Sequence, residues 1–334
     1  MISQSKILQL KMLSVLRLCL PIAIGLLSGL TQAQSAFPNK PIRLIVGFAP
    51  GGGADSAARL IVPKLAEKFG QAVVIENRPG AGGNLASEIL MKSEPDGYTI
   101  MLTTVGSMAI NPHMPGGTSF NPLVDFSMIS QGVTFSNILV VRTESSIKSL
   151  QDYVNMGKDK NAFVTFGSSG NGSTGHLAGE LFKVRSGMNA EHINYKGGGP
   201  AMTDLLGGNI TAIFASTPTA IPMINAGKLR ALGVTSLKRI PGLPNVPTIA
   251  ERGYPGYEAL NWYAFIAPPK VPPAIIEKLN QAITATLKDP ATVERLHKVD
   301  LEAAPTTPQE LLSIVKSENE MWGKIIKGIH FSER

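Results

Sequence analysis

The chain has 334 residues, enough for one large domain or two of moderate size. Only 16% of them are charged, while Gly (34) and Pro (24) are plentiful, which excludes a disordered chain and points to a turn-rich globular one. The formal charge of +7 is scattered and aromatics are 6%, which speaks against a nucleic-acid surface and suits an anionic ligand.

The first segment reads as an export signal. Lys6, Lys11 and Arg17 form a positive start, and the apolar run 18–30 is broken by Pro21 and Gly25. Thr31-Gln32-Ala33 then offers small residues at the −3 and −1 positions, so cleavage is expected after Ala33. The run is shorter than the roughly 20 apolar residues a membrane span needs, and nothing later in the chain reads as transmembrane. The single cysteine, Cys19, lies in this leader. The mature chain is therefore expected to carry no disulfide, no thiol nucleophile and no cysteine metal site. Loss of the three basic residues lowers the charge from +7 to +4.

Beyond the leader, strand-like and helix-like segments alternate. IRLIVGF (42–48) is a β-rich run, and residues 55–69 follow with apolar positions at helical spacing, interrupted by Pro63, which is expected to kink or shorten that helix. AVVIEN (72–77) is a second strand, 87–93 continues a helix begun near Gly83, and TIMLTT (99–104) is a third strand. This βαβαβ order implies a parallel sheet with helices on both faces. SMISQGVTFSNILVVRT (127–143) is long enough to pass from one lobe to another.

The pattern then restarts. Strands at 162–167, 191–195, 210–216 and 229–235 alternate with helices at 174–184, 201–206 and near 218–225. YEALNWYAFIAP (257–268) is a candidate return crossing, and the tail is helical over 273–287, 292–297 and 308–326. The reading is of two α/β lobes joined by two extended crossings. Residues 34–138 with 260–334 form one lobe and 139–259 the other. A cleft is expected at the carboxyl ends of both sheets, where open α/β folds bind ligands.

Two glycine-rich loops mark that cleft. APGGGAD (49–55) joins the first strand to the first helix, and GSSGNGSTGHL (167–177) holds the same place in the second lobe. A helix amino end leaves about four N–H groups unpaired and carries roughly half a positive charge. Glycines let an anion approach those groups, so no lysine is required. Such turns are also common as plain structural connections, but two at equivalent places favour ligand binding.

Rival chemistries are weaker. Gly170-x-Gly172-x-x-Gly175 fits a dinucleotide fingerprint with Glu191 roughly twenty residues on, but Glu191 begins its strand instead of ending it. No Gly-x-Ser-x-Gly elbow and no His-Glu-x-x-His occurs, and no histidines stand at metal-ligand spacing, so no metal and no cofactor is expected. His176 is a candidate base to Ser169 or Ser173 in an exported hydrolase; its bland alternative is packing beneath the loop. Asp55 reads as a helix-start acid that orders the loop or meets a ligand's positive group. Lys196 and Trp262 read equally well as cleft or as surface and core residues.

Taken together, PNKPIRLIVGFAPGGGADSAAR, VVIENRPGAGGN, PDGYT, GSSGNGSTGHLAGELF, YKGGGPAMTDLLGGNITAIF, GKLRALGVTS and LPNVPTIAERGYPGYE span nearly all of the chain from Phe37. With these segments the chain resembles the Bug-type solute-binding proteins of tripartite tricarboxylate transporters. The resemblance implies a periplasmic Venus flytrap fold, two doubly wound α/β domains joined by two crossing strands. It implies a monomer that is not an enzyme, binds a small carboxylate and delivers it to membrane permease subunits, or senses it for a signalling system. Carried onto this chain, the carboxylate contacts are Phe48, Ala49, Gly53, Ala54 and Asp55 in the first loop. Ser168, Ser169, Gly172, Ser173 and Thr174 follow in the second, with Ser107 and Ala215 beyond. Acids that family members place near Thr211 and Ala215 are missing here, so a ligand without an amino group is expected.

Overall fold

The computed structural model describes residues 37–329; the expected leader, its cleavage point and Cys19 lie outside them. Strand β1 (Ile42–Val46) sits between β2 (Val73–Asn77) and β3 (Thr99–Thr104), parallel to both. Helix α1 (Gly53–Phe69) connects β1 to β2, and α2 (Asn84–Met91) precedes β3. This is the expected parallel βαβαβ unit.

Pro63 does not shorten α1. It lies on the exposed side, and the helix continues to Phe69, closing on a left-handed Gly70. The buried stripe Ala57, Ala58, Ile61, Leu65 and Phe69 supplies packing that outweighs one missing backbone hydrogen bond.

The sheet is mixed, because two antiparallel strands join its halves. The 16-residue β4 (Ser127–Arg142) pairs through Ser136 with β9 (Leu260–Ala267), which itself pairs with β3. From Asn137 onward β4 pairs with β7 (Ala212–Ser216) and β8 (Leu229–Val234). Parallel neighbours of β7 complete the second half: β5 (Thr165–Ser168), then β6 (Glu191–Asn194). One strand therefore changes partners at Ser136/Asn137, and β9 runs beside it. These are the two expected crossings.

Around the second half lie α3 (Leu150–Lys158), α4 (Thr174–Ser186), α5 (Gly198–Gly207) and α6 (Thr217–Asn225). Alternation on β4 shows that both faces are covered. Leu139 and Val141 pack with Tyr153, Phe166, Phe182 and Tyr257, whereas Ile138 and Val140 pack with Ala201, Leu205, Ala220 and Ile221. The carboxyl-terminal segments return to the first half. There α7 (Pro273–Leu287), α8 (Pro290–His297), the short β10 (Glu302–Ala303) and α9 (Pro308–Ile326) complete the fold. Strand β10 pairs with β4, and Leu311, Val315 and Trp322 of α9 join the core around Met101, Val105 and Trp262. Among the described residues no helix is long and apolar enough to cross a membrane.

A cleft lined by four helix amino ends

A pocket lies where the two halves of the sheet meet. The loop after β1 supplies Phe48, and the first turn of α1 supplies Gly53 and Ala54. Thr104 and Gly106 come from the end of β3. From the second half come Ser169 after β5, then Ser173, Thr174 and Gly175 at the start of α4. Gly198 opens α5, and Phe214, Ala215, Ser216 and Thr219 span the β7–α6 junction. Asn137, Asn261 and Tyr263 come from the crossing strands. The cavity is small, about 40 Å³.

Four helices, α1, α4, α5 and α6, thus turn their amino ends toward one cavity. None of the described lining residues is Asp, Glu, Lys, Arg or His. Positive potential in this pocket is therefore that of unpaired N–H groups and helix dipoles, each equivalent to roughly half a charge. Such a site attracts an anion without holding a fixed cation.

Glycine makes the geometry possible. A Cβ on Gly53 would collide with Ser216 Oγ and Tyr263 OH, so α1 approaches α6 only because position 53 has no side chain. The same holds at the rim, where a Cβ on Gly199 would lie 2.6 Å from the Pro50 carbonyl oxygen. Beside it the Ala49 N–H donates to the Lys196 carbonyl at 3.0 Å. Gly199 thus brings backbone against backbone across the cleft.

Of the residues singled out from sequence, Phe48, Gly53, Ala54, Ser169, Ser173, Thr174 and Ala215 line the pocket. Five others support it from behind. Ala49 forms the rim hydrogen bond just described. Ser107 is fully buried and donates to the Gly82 carbonyl. Ser168 contacts His192 Nε2 at 2.7 Å, and the Gly172 N–H donates to His176 Nδ1 at 3.1 Å.

Asp55, the fifth, is 2% exposed. It accepts from the Gly51 N–H (3.0 Å), from Arg59 (2.9 and 3.0 Å) and from Asn77 Nδ2 (3.1 Å). Burial alone would raise its carboxyl; the hydrogen bonds from Arg59, Gly51 and Asn77 outweigh burial and hold it below the ordinary range. Asp55 therefore ties the glycine loop to α1 and β2.

His176 is buried beneath the second loop. Burial and the neighbouring His192 and Lys183 lower it to about 2, and His192 is lowered by burial and Lys183 to about 4. Ser173 Oγ accepts the backbone N–H of His176, as a helix cap, and not a ring contact. The described Ser–His side-chain pair is Ser168–His192, whose serine is fully buried and also donates to the Gly170 carbonyl. These contacts suit loop support and give no serine an exposed, base-activated hydroxyl. The dinucleotide pattern fails on register: Glu191 pairs with Thr165 at the start of β5 and β6, the end opposite the loop. Lys196 is exposed, and Trp262 packs in the core.

Sequence reasoning missed Asn137, Asn261 and Tyr263. The sequence marks the crossing strand by its length and singles out Trp262 within it. Side chains alternate along a strand, so a Trp262 in the core places both its neighbours on the opposite face.

A cleft of this kind between two α/β halves defines a solute-binding protein, and comparison with known proteins makes the class specific. Residues 57–331 match the tripartite tricarboxylate transporter family receptor, TctC. The chain belongs to this family and is of its Bug type. Among curated relatives, Protein BugT of Bordetella pertussis is 34% identical, covering 90% of this chain and 93% of its own. Among solved structures, the periplasmic binding protein BugD superposes with a TM-score of 0.83 at 32% identity, covering 87% of this chain and 98% of BugD. Rpa4515 of R. palustris, solved with adipate, gives 0.84 at 34% identity over 88% of this chain and 99% of that one. MatC of Rhodopseudomonas palustris, solved with bound malate, gives 0.83 at 27% over 87% and 100%. The fold is thus the two-lobed Venus flytrap of periplasmic binding proteins, and the family is one of solute-binding proteins, not enzymes.

Proposed function

We propose that this chain captures a small carboxylate between its lobes in the periplasm and delivers it to the membrane subunits of a tripartite tricarboxylate transporter. One observation carries the reading. Four helix amino ends converge on a pocket whose described lining has no Asp, Glu, Lys, Arg or His, so an anion is met by amides and hydroxyls alone. That neighbours of the same fold hold adipate and malate supports a carboxylate as the anion.

In this reading Gly53 and Ala54 of the first loop and Ser169, Ser173 and Thr174 of the second grip the carboxylate. Phe48 and Ala215 shape its walls, while Ala49, Asp55, Ser107, Ser168 and Gly172 hold the two loops in place. The lobes divide near residues 138/139 and 259/260, close to the Ser136/Asn137 point at which β4 changes partners and to the start of β9. The chain is exported through its first 33 residues and works as a monomer.

The test is a thermal-shift screen of the mature chain against mono-, di- and tricarboxylates, with size-matched neutral alcohols as controls. A ligand at ~100 times its Kd adds about 2.7 kcal/mol, a rise of a few degrees for a chain of this size. A rise with carboxylates only is expected. Neutral analogues raising the melting temperature equally would sink the anion reading.

A further inference from the structure

We infer that the crossing strands select the ligand's second functional group, and that this group is neutral and offers both a donor and an acceptor, as a carboxamide does. The inference rests on the carboxylate reading of the pocket. Asn261 on β9 stands opposite Phe135 on β4, and Asn137 is two residues beyond Phe135. Residues two apart share a face of a strand. The rings of Phe135 and Tyr263 meet at 4.7 Å on that face. Asn137, Asn261 and Tyr263 accordingly present one polar wall to the cavity.

The two asparagines are 2% and 6% exposed. Asn137 Nδ2 and Asn261 Oδ1 have no hydrogen-bond partner among the described residues. The other end of Asn261 is occupied, since its Nδ2 donates to Thr174 Oγ1, and the Asn137 backbone N–H donates to Thr235 Oγ1 at 2.9 Å. The Thr174 contact holds the Asn261 side chain, and one donor and one acceptor stay unmet on two residues that line a single small cavity. Buried polar atoms are ordinarily paired, so these two define what a ligand must bring.

The charge types separate cleanly. A second carboxylate has only acceptors; it would satisfy Asn137 Nδ2 and set like partial charge against Asn261 Oδ1. An ammonium has only donors. It would meet Asn261 Oδ1, oppose Asn137 Nδ2, and find no acid among the described lining residues and four positive helix ends around it. A carboxamide donates to Oδ1 and accepts from Nδ2.

Isothermal titration of the mature chain with butyrate, succinate, succinamate and γ-aminobutyrate, and with their homologues one carbon shorter and longer, tests this. The ω-amide is expected to bind about tenfold tighter than the matched diacid, amino acid and alkyl acid. Asn137→Leu should reduce the amide to the affinity of the alkyl acid. Asn261→Asp should move the preference to the ω-amino acid. A diacid or amino acid ranking first at every chain length overturns the inference. So does an unmoved ranking in both variants when their circular dichroism and melting match the parent. Failure of every carboxylate to bind, at any length, would instead overturn the carboxylate reading itself.

Discussion

The imidazoles of His176 and His192 stack with centroids 4.0 Å apart beneath the second glycine loop. Each is held well below the ordinary histidine range, chiefly by burial, to about 2 and about 4. Both are therefore neutral in the folded protein at pH 7. In the unfolded chain they take up protons near pH 6.5. Between that value and about pH 4 the unfolded state binds more protons, so stability falls as the solution is acidified. The loss is of order 1 kcal/mol per histidine for each pH unit. Melting temperatures recorded from pH 7.5 to 4.5 should decline, and His192→Gln, neutral throughout, should flatten the slope. A parent curve flat over that range would refute the buried neutral pair.

Asp55 predicts the opposite end of the scale. Its folded value lies below the ordinary carboxylate value, so its contribution is complete above about pH 4 and disappears as pH falls through the lowered value. Asp55→Asn at neutral pH leaves the Gly51 N–H with a poorer acceptor and removes the Arg59 pair. Chemical denaturation should show a loss of about 1–3 kcal/mol. Ligand affinity should weaken as well, because the loop that carries Gly53 is no longer held.

Gly53 should matter to binding far more than to folding. A valine there meets Ser216 across the cleft and Tyr263 on the crossing strand beside it, which obstructs the pocket and holds α1 away from α6. Titration calorimetry should show affinity down about tenfold to a hundredfold. Thermal melting without ligand should move less, because one collision lies across the cleft and the other meets only the hydroxyl tip of Tyr263. Unchanged affinity would remove Gly53 from the clamp.

Much of this architecture is legible in the sequence, for physical reasons. Amphipathic α1 and the β-branched runs of β1 and β3 carry their periodicity openly, and both crossings stand out by length. Helix α3 is absent from the expected elements, although Ser149 and Asp152 form a reciprocal capping box, a signal that spacing alone offers. The pocket wall was harder. Asn137 and Asn261 are ordinary polar residues in sequence; their role follows from the register of β4 against β9, a long-range relationship that local pattern does not encode. Gly197 and Gly199 lie outside the two glycine loops that the sequence marks, and they admit the backbone of the first loop.

That last contact yields a prediction free of any direct ligand contact. Gly199 does not line the pocket, but a Cβ there would press on the Pro50 carbonyl oxygen at 2.6 Å, a backbone atom. Gly199→Ala should therefore disfavour the closed arrangement, in which Ala49 also donates across the cleft to Lys196. Binding that requires closure loses affinity in proportion to the closed population. Small-angle scattering of the unliganded variant should report a larger radius of gyration than the parent. Affinity should fall while saturating ligand restores the compact form. A variant as compact as the parent, yet weaker in binding, would assign Gly199 a local role in the α5 turn and not one in closing the lobes.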